Sequence, residues 1–104
     1  MPYVDSKLRD EIDQDIKDLR TAIINLSDER TIEGNMNYCI TSLLEAIPLS
    51  NHSVDDLGDP KWRYKYINRA IGVLECVKLE FYRRLAGPYE DGAKNLNGDL
   101  DIYD

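Results

Sequence analysis

Asp59-Pro-Lys-Trp-Arg-Tyr-Lys-Tyr-Ile-Asn-Arg-Ala-Ile-Gly-Val-Leu-Glu-Cys-Val-Lys-Leu-Glu-Phe-Tyr-Arg-Arg-Leu-Ala86 is the stretch on which the fold turns. Within it Ile67, Ala70, Leu74, Val77, Phe81 and Leu85 recur at steps of three and four, the spacing of one face of an α-helix. Asp59 before Pro60 reads as a capping residue followed by a proline in the first turn, and Gly87-Pro88 reads as the stop. The spacing therefore predicts a helix running from this cap to about Ala86. Tyr66, Ile71, Val73, Leu79 and Tyr82 widen its apolar surface beyond the main stripe. A helix that is apolar on more than one side belongs at the centre of a bundle or is shared with another chain. Opposite Leu74 lie Lys65, Arg69, Gly72, Cys76 and Arg83, a basic side interrupted by two small residues. Gly72 costs such a helix ~1 kcal/mol relative to alanine. It marks either the close approach of another helix or ligand, or a tolerated substitution.

Upstream, Leu8, Ile12, Ile16, Leu19, Ile23 and Leu26 form a second stripe, with Asp10, Glu11, Asp13, Asp15 and Asp18 among the residues between them. This predicts an amphipathic helix with Ser6 as its N-cap and its stripe turned to a core. Ile32, Met36, Cys39, Ile40, Leu43, Leu44 and Ile47 predict a helix between these two, ended by Pro48 because the residue before a proline avoids helical angles. Leu49 to Gly58 is polar and reads as a mobile loop, with His52 exposed in it. After Pro88, Asn97-Gly98-Asp99 is a turn signal, and Leu100 alternating with Ile102 predicts a short extended arm. The expected fold class is all-α, a three-helix antiparallel bundle with a C-terminal extended arm. Residues 1–86 are the expected helical domain and residues 87–104 an acidic arm.

The chain has 104 residues and a net charge of -7, which allows one small domain. That charge is unevenly placed. Residues 1–60 carry 5 basic and 13 acidic side chains (-8), residues 61–84 carry 7 and 2 (+5), and residues 85–104 carry 1 and 5 (-4). The acid excess argues against binding a nucleic acid polymer, yet the basic segment could meet a small anion. No apolar run approaches the ~18 residues of a membrane span, so no membrane partner is expected. The N-terminus lacks the basic and apolar segments of a signal peptide, which predicts a cytoplasmic protein.

Chemistry has little to work with. Cys39, Cys76 and His52 are far apart in sequence without the paired spacing of a zinc site. Asn95-Leu-Asn97-Gly-Asp99 has Ala93 where a calcium loop needs its first ligand. There is no Gly-rich phosphate loop, no Gly-x-Ser-x-Gly, and no Cys/His or Ser/His pairing. No enzyme, metal or cofactor is expected. What remains is aromatic residues interleaved with cations at both ends of the third helix. Lys65 and Arg69, with Tyr82, Arg83 and Arg84, form a candidate anion site, since tyrosines stack and guanidinium groups hold phosphates. Arginine and tyrosine serve protein interfaces equally well.

Met1-Pro-Tyr-Val, Asn37-Tyr-Cys-Ile-Thr41, the run Ile67–Arg84, Pro88-Tyr-Glu-Asp91 and Asn97-Gly-Asp99 resemble a family of small uncharacterised proteins of phages and prokaryotes. That resemblance covers nearly the whole chain and implies a single domain but no activity. If the chain is phage-encoded, its compartment is the host cell cytoplasm. Ala70-Ile-Gly-Val-Leu-Glu-Cys-Val-Lys-Leu79 is similar to the helical hairpin of phage proteins that sequester cyclic-nucleotide immune signals in anti-CBASS counter-defence. This second similarity implies an oligomeric, non-catalytic sponge holding an anionic nucleotide between helices. Two expectations follow. One is a non-enzymatic binding protein of phage type, working as a helical homo-oligomer, with acidic helix 1 and the tail as a surface for a protein partner. The other is the nucleotide sponge.

Overall fold

The computed structural model describes residues 4–103, with nothing stated of the Tyr103 side chain. Met1–Tyr3, which open the family resemblance, and Asp104, the last acid of the tail, lie outside the described residues. The chain is all-α, with three helical segments and no strand among the described residues. It divides into two units, residues 1–62 and residues 63–104. No helix is long and apolar enough to cross a membrane.

In the first unit, α1 spans Ser6–Leu26. Asp5, rather than Ser6, is its cap: the Asp5 carboxylate accepts from the Lys7 N–H at 2.8 Å. Ser6 is already helical, so its hydroxyl lies one position too late for the role. After Leu26 the chain turns through a reciprocal box. Asp28 Oδ1 accepts from the Thr31 N–H at 3.0 Å, and Thr31 Oγ1 accepts from the Asp28 N–H at 2.9 Å. Each side chain accepts from the other residue's amide, the reciprocal arrangement of a capping box. α2, Ile32–Leu44, then returns along α1. Asn35 Nδ2 donates to Ser27 Oγ at 2.7 Å and ties the corner.

α2 breaks at Glu45, and a five-residue α3, Ala46–Ser50, carries the chain through Pro48. Pro48 has no N–H for the Leu44 carbonyl, and its ring crowds that oxygen. The disruption therefore falls four residues before the proline, while the proline itself fits the first turn of α3. Pro48 is fully buried.

The segment expected to be a mobile loop is closed by hydrogen bonds. Val54 bridges antiparallel to Pro60, Lys61 N–H donates to the Ser53 carbonyl at 2.9 Å, and Ser53 Oγ donates to the Lys61 carbonyl at 2.8 Å. Asp55 holds the tip by accepting from the N–H groups of Leu57 and Asp59. Gly58 sits at φ 83°, a conformation that costs glycine little. Asp59-Pro60 therefore belongs to this bridge, not to a helix start. The helix begins four residues later.

In the second unit, α4 spans Tyr64–Phe81, a π turn follows at Tyr82–Ala86, and α5 continues over Gly87–Asn97. Gly87-Pro88 does not stop the helix. The Gly87 N–H bonds to the Tyr82 carbonyl, five residues back. This wider turn shifts the backbone ladder where a regular helix would meet the proline ring. The segment expected to be an extended arm is thus helical to Asn97. Gly98, at φ 84°, ends it as the turn signal predicted. Beyond it, Asp101–Tyr103 is one 3-10 turn, where the alternation predicts a short extended arm.

The stripes of α1 and α4 form as read, but neither is covered within its unit. Leu8 and Ile12 are 51% and 45% exposed. The cause is length: α1 has 21 residues and α2 has 13. At 1.5 Å per residue α1 outreaches its partner by ~12 Å. On α4, Tyr66 and Ala70 are buried, whereas Ile67, Ile71, Leu74, Val77 and Phe81 are all exposed.

Candidate functional site

The five residues of the candidate anion site all lie on α4 and the π turn that follows it. Lys65 and Arg69 sit one helical turn apart around the buried Tyr66. Lys65 Nζ is 5.0 Å from the ring centroid and Arg69 Cζ is 5.7 Å from it. The ring is the negative face on which these cations rest. Among the described residues neither cation pairs with a carboxylate.

The other three are engaged differently. Arg83 Nη2 contacts both Glu80 oxygens at 2.9 and 2.8 Å, and Arg84 Nε donates to Glu80 Oε1 at 3.0 Å. One carboxylate thus holds two guanidinium groups, three and four residues along the same helix. The Tyr82 hydroxyl donates to Glu90 on α5, and that bond raises the phenol above its ordinary value by favouring the protonated form. An anion arriving here would compete with Glu80 and Glu90.

The two groups do not converge within one chain. Arg69 and Arg83 are fourteen positions apart, about 21 Å along a helix axis. The cationic side of α4 also lies opposite its apolar stripe. A second copy docking through Leu74 and Val77 would leave Lys65 and Arg69 outward, still open to a ligand but not enclosed. Gly72 has open space where a side chain would sit, so no neighbour in this chain requires it to be glycine.

Sequence reasoning missed a groove in the first unit. Ile16, Leu19 and Ile23 of α1 face Met36, Cys39 and Ile40 of α2 across a hollow of about 370 Å³. Leu19, Ile23 and Cys39 form its floor and also border a smaller hollow on the other side of the α1–α2 contact. The signal was present in the width of the α2 stripe, where Met36 and Ile40 lie to one side of Cys39. His52 is exposed, with a left-handed φ of 55°. Cys39 and Cys76 are free thiols, half-buried and exposed respectively. No cluster of metal-ligating side chains occurs among the described residues.

A family model described as a domain of unknown function, DUF6899, matches residues 1–100. No curated protein and no solved structure matches the chain.

Proposed function

Since the chain belongs to the DUF6899 family, a domain of unknown function, we propose its role from its own residues: a non-enzymatic binding protein that works as a helical homo-oligomer. One observation carries this. The apolar stripes of α1 and α4 form over most of their length and are left largely uncovered within their own units, apolar area that soluble chains ordinarily cover. Burial of such stripes between copies is the ordinary solution for a chain too short to cover them itself. The acidic residues of α1 and the tail would then face outward, available to a protein partner with a basic surface. The proposed place of action is the cytoplasm, that of the host cell if the chain is phage-encoded. Light scattering across a size-exclusion peak tests the oligomer. A mass at a multiple of 12.0 kDa is expected, and a 12.0 kDa species at every loading would end the proposal.

A nucleotide sponge is the second reading, favoured by Lys65 and Arg69, which have no carboxylate partner among the described residues. The engagement of Arg83 and Arg84 with Glu80 weighs against it. Calorimetric titration with cyclic di- and trinucleotides separates the two. Heat lost in Lys65→Ala and Arg69→Ala supports the sponge, and no heat from wild type removes it.

A further inference from the structure

We propose that Asn97 is a site of spontaneous modification, where the side-chain amide is lost to water and a new carboxylate marks the end of α5. Of the seven asparagines in the chain, Asn97 alone precedes a glycine. The next peptide nitrogen is the nucleophile in this chemistry, and a side chain on its residue would hinder the approach. Asn97 and Gly98 are exposed, and the space beside Gly98 is open. Gly98 is held to glycine by its φ of 84°, so the reactive pair is built into the helix stop. The other asparagines differ. Asn35 and Asn51 donate their side-chain amides to Ser27 and to the Ile47 carbonyl. Asn25, Asn37, Asn68 and Asn95 lie within helices and precede residues with side chains. Asp91 also precedes a glycine, but it has no amide to lose and lies inside α5.

The Gly98 nitrogen attacks Asn97 Cγ. The N–Cγ bond forms, the Cγ–Nδ2 bond breaks, and ammonia leaves with the proton of the Gly98 amide. Water then opens the cyclic imide at either carbonyl, giving aspartate or isoaspartate at this position. Folding sets the pace. The Gly98 N–H donates to the Lys94 carbonyl at 2.7 Å, so the nitrogen is engaged until the last turn of α5 opens. Helix ends open most readily, and one hydrogen bond of ordinary net strength slows the step only about 5-fold. The product alters this end in two ways. A carboxylate at Asn97 meets the negative end of the helix dipole and takes the net charge of the chain from -7 to -8. In the isoaspartyl form the main chain is longer by a methylene, so the bond from Gly98 to Lys94 loses its register. Each chain thus gains charge with age where α5 meets the acidic residues Asp99 and Asp101.

Peptide mapping by mass spectrometry tests it, on the full chain held in mildly alkaline buffer. Asn97 should convert before the other six asparagines, as a mixture of the two isomers that fragmentation separates. Conversion should run about 5-fold slower than in the same chain unfolded in guanidinium chloride. Asn97→Asp carries the product charge in an unaltered main chain, and its Gly98 amide hydrogen should exchange faster than that of wild type. Another asparagine that converts before Asn97 overturns the proposal. So does an Asn97 still wholly intact in the folded chain once the unfolded chain has converted. Equal rates in the two states, or unchanged exchange at Gly98 in Asn97→Asp, overturn the coupling to the end of α5.

Discussion

Phe81→Ser separates what α4 does for its own chain from what it does between chains. Phe81 is 64% exposed at the C-terminal end of the α4 stripe. Full burial of a phenylalanine is worth roughly 1.5–3 kcal/mol. The covered third therefore contributes ~0.5–1 kcal/mol to the single chain, and the exposed part would add ~1–2 kcal/mol per copy once a partner covers it. Serine and phenylalanine have similar helix propensities, so the helix itself changes little. In a symmetric dimer two copies are lost together, ~2–4 kcal/mol, which weakens association roughly 30- to 1,000-fold. Sedimentation equilibrium of wild type and variant reads that ratio, while circular dichroism checks that helix content is kept. Equal association constants, with helicity unchanged, would show that the α4 stripe is not an interface and refute the reasoning.

Removing the α1 cap by Asp5→Ala should lower stability by about 1 kcal/mol, with Asp5→Ser restoring most of it, both read from thermal melts. Asp28 is held below the ordinary carboxylate range, first by the Arg30 N–H and then by the Thr31 hydroxyl. A depressed folded-state value means that its contribution is complete above the ordinary carboxylate pKa and is lost as pH falls through the depressed one. Asp28→Asn should therefore flatten the acid side of the stability–pH curve, and an unchanged curve would contradict the box at the α1–α2 corner. Tyr82, raised by its bond to Glu90, should ionise later than in Glu90→Gln when phenolate absorbance is followed with pH. Coincident titrations would place the hydroxyl elsewhere.

Helix existence was legible in the sequence wherever apolar residues repeated at three and four, although the cap of α1 is Asp5 and not Ser6. The errors cluster at prolines. Pro48, Pro60 and Pro88 each looked like a start or a stop, yet two lie inside helical segments and one in a bridge. What decides each case is non-local. Pro60 is held by Val54 and by Ser53 bonding to Lys61, and Pro88 is admitted by a π turn whose extra residue has no signature in local propensity. The candidate anion residues were readable as a cationic face, and so in principle were their competitors, since Glu80 precedes Arg83 and Arg84 by three and four positions. Glu90 was harder to see, because its approach to Tyr82 depends on the helix continuing past Gly87. Core assignment failed for a different reason. Periodicity tells which side of α1 is apolar, but not that α2 is too short to cover Leu8 and Ile12.

Those uncovered stripes are the centre of the account, and sedimentation equilibrium of the wild-type chain over a wide dilution series tests them most directly. The prediction is a mass at a fixed multiple of 12.0 kDa at high concentration, falling toward one chain on dilution with a single association constant. A mass of one chain throughout, with helicity intact, would mean that these apolar faces are stable in water, and would contradict the account.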